Sequence, residues 1–159
     1  MALTVLSPVS GTAVAMTDVP DPVFADGMVG PGIAVDPATD GATSVAVAPI
    51  DGTVMALHPH GFVVSDGARR AVLVHLGIDT VRLGGDGFTS HVAKGDSVRA
   101  GDHLISWSPA DVVAGGLSPL VPVVALEIPA DRLEVLVAPG DRVLAGAGAT
   151  PGTALLRIP

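Results

Sequence analysis

VAKGDSVRAG (residues 92–101) returns at residues 137–146 as VAPGDRVLAG. The two segments share V-A-x-G-D-x-V-x-A-G, in which Gly-Asp supports a tight turn, the second valine enters the core and Ala-Gly makes the next turn. A different pair lies upstream. LSPVSGTAVAM (6–16) and APIDGTVMAL (48–57) each carry a proline, two residues, Gly-Thr and then a small apolar strand. The order along the chain is first type, first type, second type, second type, so the duplicated halves must interleave. Strands closed on one another in this way leave few exposed edges. The expected fold is therefore all-β: an antiparallel β-sandwich or barrel with duplicated, interleaved halves, at most short helices, and one domain over residues 1–159.

Composition agrees. Hydrophobic residues make up 48 % of the 159 positions and charged ones only 15 %, which is too apolar for disorder. With 20 glycines and 14 prolines, the chain reads as many short strands joined by turns. A net charge of −8 without a basic stripe excludes phosphate-backbone binding, hence nucleic acid, and permits a basic protein partner. Having no cysteine, the chain has no disulfide, thiolate nucleophile or cysteine metal site. No signal peptide and no apolar run long enough to span a membrane is visible, so a cytoplasmic protein without direct membrane insertion is expected.

Strand-like runs fall at about 12–16, 32–35, 44–48, 53–57, 61–65, 71–76, 103–107, 121–128, 134–137 and 154–158, and SPADVVAGG (108–116) reads as a short helix capped by Ser108. AVLVHLGI (71–78) is apolar at almost every position, the pattern of a central strand buried on both faces. His75 shares a face there with Leu73 and Gly77, whose missing side chain is expected to leave space beside the imidazole, and Asp79 follows on the same face. If 60–65 pairs antiparallel with 71–76 around SDGARR, residue 60 faces 75 or 76, and His60 and His75 become cross-strand neighbours. A lone histidine in an apolar run is ordinarily a core residue with a hydrogen bond. Two clustered imidazoles point instead to acid–base work, metal binding, or a nucleophile steadied by its neighbour.

VPDPVFADGMVGPGIAV (19–35), VAPIDGTVMAL (47–57), HGFVV (60–64), LVHLGIDTVRLGGDGF (73–88), VAKGDSVRAGD (92–102) and the run from SPLVPVVALEIPADRLEVL to VAPGDRVLAG together resemble the glucose-type IIA component of the bacterial phosphoenolpyruvate:sugar phosphotransferase system. The similarity runs in order through essentially the whole chain. It implies a β-sandwich that carries a phosphoryl group on the histidine of LVHLGID, here His75. The group would come from the histidine-containing phosphocarrier protein and pass to the IIB domain of a sugar permease. The histidine of HGFVV, here His60, would sit beside it and donate a hydrogen bond to the phosphoryl oxygens. Asp21 and Asp79 would lie on the rim and meet an arginine of the partner, their other reading being solvated turn carboxylates. Val23, Phe24 and Met28 would be docking hydrophobes, or else core. No cofactor is implied. Relatives also bind non-transport proteins according to phosphorylation state, so regulatory targets belong to the expectation. The chain, running from LSPVSG to LLRIP, reads as the IIA unit alone.

Three features depart from the family pattern. His58 stands where a threonine that orients the histidine is usual, Pro31 replaces a common turn aspartate, and GAGATPG (146–152) lengthens a loop. His91 and His103 lie apart from the pair and read as structural or surface residues. The alternative function is a zinc-dependent hydrolase using His58, His60, His75 and Asp79, since H-x-H and H-x-x-x-D are zinc-ligand spacings. In the peptidases that use them, however, the two occur in the reverse order. Zinc taken up adventitiously by His60 and His75 would not by itself imply hydrolysis, and no metal is required.

Overall fold

The computed structural model describes residues 1–39 and 43–159. Three β-strands, β1 (Leu3–Leu6), β2 (Gly11–Val14) and β3 (Gly32–Pro37), are followed by a second such trio, β4 (Ser44–Val47), β5 (Gly52–His58) and β6 (Gly61–Ser65); the short helix α1 (Pro22–Ala25) interrupts the first. Then come β7 (Ala71–His75), β8 (Thr89–Ser90), β9 (Ser97–Val98) and β10 (His103–Trp107), matched after helix α2 (Pro109–Ala114) by β11 (Val121–Ala125), β12 (Glu134–Val135), β13 (Arg142–Val143) and β14 (Ala154–Ile158).

The sheets carry the internal symmetry that the repeats demand. The large sheet has the order β13-β2-β3-β11-β7-β6-β5-β9, and two small ones have the orders β1-β14-β12 and β4-β10-β8. Exchanging β1–β3 with β4–β6, and β7–β10 with β11–β14, maps each order onto itself or its partner. The approximate axis passes between β7 and β11, where Val74 pairs with Val123. Gly11 and Thr12 of the first Gly-Thr segment pair with Val143 and Arg142 of the second Gly-Asp segment. Gly52 and Thr53 pair with Val98 and Ser97 of the first. Backbone bonds repeat as well: Ala13 N–H to the Asp141 carbonyl at 2.8 Å and Val54 N–H to the Asp96 carbonyl at 2.9 Å. The Gly-Asp turns are closed alike, with Asp96 accepting from Ala93 N–H and Asp141 from Ala138 N–H, both at 2.9 Å.

A common apolar core joins the large sheet (Val35, Val54, Phe62, Val72, Val74, Val123) to both small ones (Val5, Leu156; Leu104, Trp107). Fully burying a valine such as Val72 or Val74 stabilises by about 2 kcal/mol. The opposite face of the large sheet carries a smaller cluster of Val19, Phe24, Ala34, Ile78 and Val124, with Leu73 packed against it. β7 is thus central and covered on both faces, as its unbroken apolar run requires.

Several boundaries differ from the sequence reading. Met16 lies in a 3₁₀ turn (Met16–Asp18) rather than at the end of β2, and Leu126 to Ile128 leave β11 as a turn and loop. α2 forms as expected, with Ser108 Oγ accepting from Asp111 N–H at 3.2 Å. The register at the site is the second of the two expected, with residue 60 level with 76 rather than 75. It places Gly61 opposite His75. Pro59 and His60 are the two residues of the β5–β6 hairpin turn, flanked by the His58–Gly61 pair. His60 is level with Leu76, whose N–H donates to the His60 carbonyl at 2.7 Å. This hairpin corresponds, in the other half, to the long β2–β3 connection that carries α1. The two halves differ most at this point, and both differing segments converge on His75.

Candidate functional site

His75 ends β7 on the face of Leu73, and the next five residues fix its ring. Gly77 adopts φ +78°, and its carbonyl returns to within 2.5 Å of His75 Nδ1. A carbonyl only accepts, so Nδ1 carries the proton and Nε2 keeps the lone pair. Gly77 does not open space beside the imidazole, contrary to the sequence expectation. A Cβ there would lie 2.6 Å from Thr80 Cγ2 and 3.1 Å from the Ser118 carbonyl. The residue is glycine because the bend is left-handed and tightly enclosed. Thr80 Oγ1 donates to the Leu76 carbonyl at 2.7 Å, and Ile78 N–H donates to Ser118 at 2.9 Å. The loop is therefore anchored on both sides of the bend.

His60 and His75 do come together, diagonally rather than directly opposed: their ring centroids are 5.0 Å apart at 61°. Gly61, level with His75 and without a side chain, leaves the place into which the His60 ring turns. His58 stacks on the far side of His60, at 5.7 Å and 26°. From the other half, Asp21 caps α1 by accepting from Val23 N–H at 2.9 Å, with Pro22 in the first helical position. That cap sets Phe24 edge-on to His75, at 5.4 Å and 62°. Phe24 is 7 % exposed and packs inward, whereas Val23 (43 %) and Met28 (73 %) present apolar surface. Asp79 is exposed and left-handed (φ +60°), and its carboxylate makes no capping bond to the 3₁₀ turn it precedes. A non-glycine residue held there stores roughly 1–3 kcal/mol, a cost found most often at functional sites.

Burial pushes the pKa of His75 down, against the opposing pull of the Gly77 carbonyl and of Asp21 and Asp79. Burial, then His75 and His58, push that of His60 down too. Both shifts favour the neutral imidazole over the cation. His91 bonds Ser106 at 2.6 Å, and His103 lies at the start of β10; neither belongs to the cluster. Among the described residues, no group of three or more histidine, aspartate or glutamate side chains is placed to hold a metal ion. The zinc-hydrolase alternative finds no support in this arrangement. One group had escaped the sequence reading: the Gly77 carbonyl was invisible because its role depends on a backbone bend. For Phe24 the structure takes the core reading of the two that the sequence left open.

The duplicated β-sandwich has a counterpart among solved structures. The fold matches that of glucose permease IIA from Mycoplasma capricolum with a TM-score of 0.84 and 30 % identity, covering 99 % of this chain and 96 % of that one. The architecture is thus that of the IIA components of sugar permeases. Residues 3–130 match the family described as phosphoenolpyruvate-dependent sugar phosphotransferase system, EIIA 1, and the chain belongs to that family. It is similar to the glucose-specific EIIA component of Oceanobacillus iheyensis, 38 % identical over 124 residues, covering 77 % of this chain and 73 % of that protein. Similarity extends to the glucose-specific EIIBCA component of Corynebacterium glutamicum, 42 % identical over 122 residues, covering 76 % of this chain and 18 % of that longer protein. The chain is a phosphoryl-carrying component of a sugar phosphotransferase relay. Among the described residues, no helix is long and apolar enough to cross a membrane.

Proposed function

We propose that His75 is the phosphoryl acceptor of this chain, that His60 steadies the transferred group, and that the relay runs from the histidine-containing phosphocarrier protein to a permease IIB domain. The observation that carries this is the anchoring of His75 Nδ1 on the Gly77 carbonyl, which leaves Nε2 as the free nucleophile. The Nε2 lone pair forms the new N–P bond as the donor's N–P bond breaks, its electron pair returning to the donor imidazole. The His75 ring becomes cationic at that moment, and the Gly77 carbonyl holds the Nδ1 proton that carries the charge. Hand-over is the same displacement in reverse, with the IIB residue as nucleophile. Such transfers depend on in-line positioning and on donors aimed at the equatorial oxygens. His60, whose ring centroid lies 5.0 Å from that of His75, would give one N–H.

Val23 and Met28 on one side and the exposed Val81 beyond Asp79 on the other offer an apolar rim that a docked partner would close against water. Asp21 and Asp79 add negative charge suited to a basic residue on that partner. Because both partners work on phosphoryl groups derived from phosphoenolpyruvate, the chain would act in the cytoplasm. The sugar meets the permease and never this component. His60→Gln tests the division of labour: it should still accept phosphate at His75 but pass it on slowly. Normal transfer to a IIB domain by that variant would remove His60 from its role.

A further inference from the structure

We propose that His58 is a positioning residue of the phosphoryl hand-over: its ring forms the outer wall of a slot that holds His60 against His75. The inference rests on the reading of His75 as acceptor and His60 as stabiliser. The slot follows from the register. Gly61 is paired on one side with His58 of β5 and on the other with His75 of β7. Directly opposed residues in a sheet point their side chains to the same face, so positions 58, 61 and 75 form one row across three strands. The middle place in the row has no side chain, and a Cβ there would lie 2.8 Å from the Val74 carbonyl. The outer two strands are two spacings apart, about 9.6 Å, which is room for one flat ring between two others.

The ring that fills the place comes from the turn. His60 stacks on His58 at 5.7 Å, nearly parallel at 26°, and meets His75 at 5.0 Å. Among the described residues, no hydrogen bond orients the His60 ring, whereas His75 is tied to Gly77. Without His58, one side of the slot opens to solvent, and the His60 ring is free to swing out from the two-residue turn. His75 keeps its own anchor, so loading should be spared while hand-over suffers.

The test uses His58→Ala, which removes the wall, and His58→Phe, which replaces it with a ring that neither titrates nor hydrogen-bonds. Nuclear Overhauser contacts between the His60 and His75 ring protons are read in the unphosphorylated protein. Rates of loading from the phosphocarrier protein and of transfer to a IIB domain are read separately. His58→Ala should lose the ring–ring contact and slow hand-over by roughly ten- to a hundred-fold, the range expected for a misplaced catalytic group, with loading little changed. His58→Phe should restore both. Retained contact and normal hand-over in His58→Ala would overturn the proposal, as would failure of His58→Phe to restore them. If the wild-type protein takes no phosphate at all, the reading of His75 fails, while the ring–ring contact still decides whether the slot exists.

Discussion

Gly77→Ala probes the bend that anchors His75, and Gly84→Ala is its control. Both glycines are left-handed, at φ +78° and +61°. They differ in surroundings. A Cβ at Gly84 meets nothing within 4 Å, whereas at Gly77 it meets Thr80 Cγ2 at 2.6 Å, the Ser118 carbonyl at 3.1 Å and Val112 Cγ1 at 3.5 Å. The left-handed conformation costs an L-residue about 1–2 kcal/mol, which both variants share. Overpacking adds about 1–3 kcal/mol at position 77 only. For a domain of this size, each kcal/mol lowers Tm by about 2–4 °C. Gly84→Ala should therefore lose a few degrees and Gly77→Ala roughly ten, measured by circular dichroism on heating. The displaced carbonyl should also free the His75 tautomer, so loading of Gly77→Ala slows at temperatures where it remains folded. Equal thermal losses in the two variants, or normal loading in a destabilised Gly77→Ala, would refute the reasoning.

Gly61→Ala puts a methyl group in the slot and 2.8 Å from the Val74 carbonyl; it should cost about 1–3 kcal/mol in denaturant unfolding and impair hand-over more than loading. The lowered pKa values of His75 and His60 make stability depend on pH. Below the ordinary histidine value of 6.5 the unfolded chain binds protons that the folded one refuses, so stability should fall as pH drops from 6.5 and level off below the folded-state values. Urea midpoints across that interval check the sign, and the fall should shrink in the His60→Gln, His75→Gln double variant. Phe24→Ala should destabilise by about 3 kcal/mol, because its ring is buried against His75. Met28→Ser should change stability by less than about 0.5 kcal/mol yet weaken binding of the phosphocarrier protein in a calorimetric titration.

The repeats made the fold legible because each repeat type has its own turn chemistry. The paired Gly-Thr and Gly-Asp segments announce interleaving, and the structure pairs the first of one type with the second of the other. The two-residue strands β9 and β13 were hidden inside those segments, since so short a ladder leaves no alternation to read. The register at the site was left between two neighbours, with residue 60 facing 75 or 76, and the structure takes the second. Pro59-His60 lacks the Asn-Gly or Asp-Gly signal of a tight hairpin, so the turn looked like strand. α1 was readable in principle from Asp21-Pro22, a cap followed by proline at the first position, but four residues carry no helical period. The closeness of His60 and His75 was foreseeable from spacing alone. What turns proximity into a site, the Gly77 bend and the Gly61 gap, depends on backbone geometry.

The most direct measurement is the intact mass of the protein after incubation with phosphoenolpyruvate, the first enzyme of the relay and the phosphocarrier protein. The expected result is one acid-labile phosphoryl group per chain, present in the wild type and in His60→Gln and absent in His75→Gln. An adduct that persists in His75→Gln, or a wild-type protein that takes none, would contradict the assignment of His75 as the acceptor.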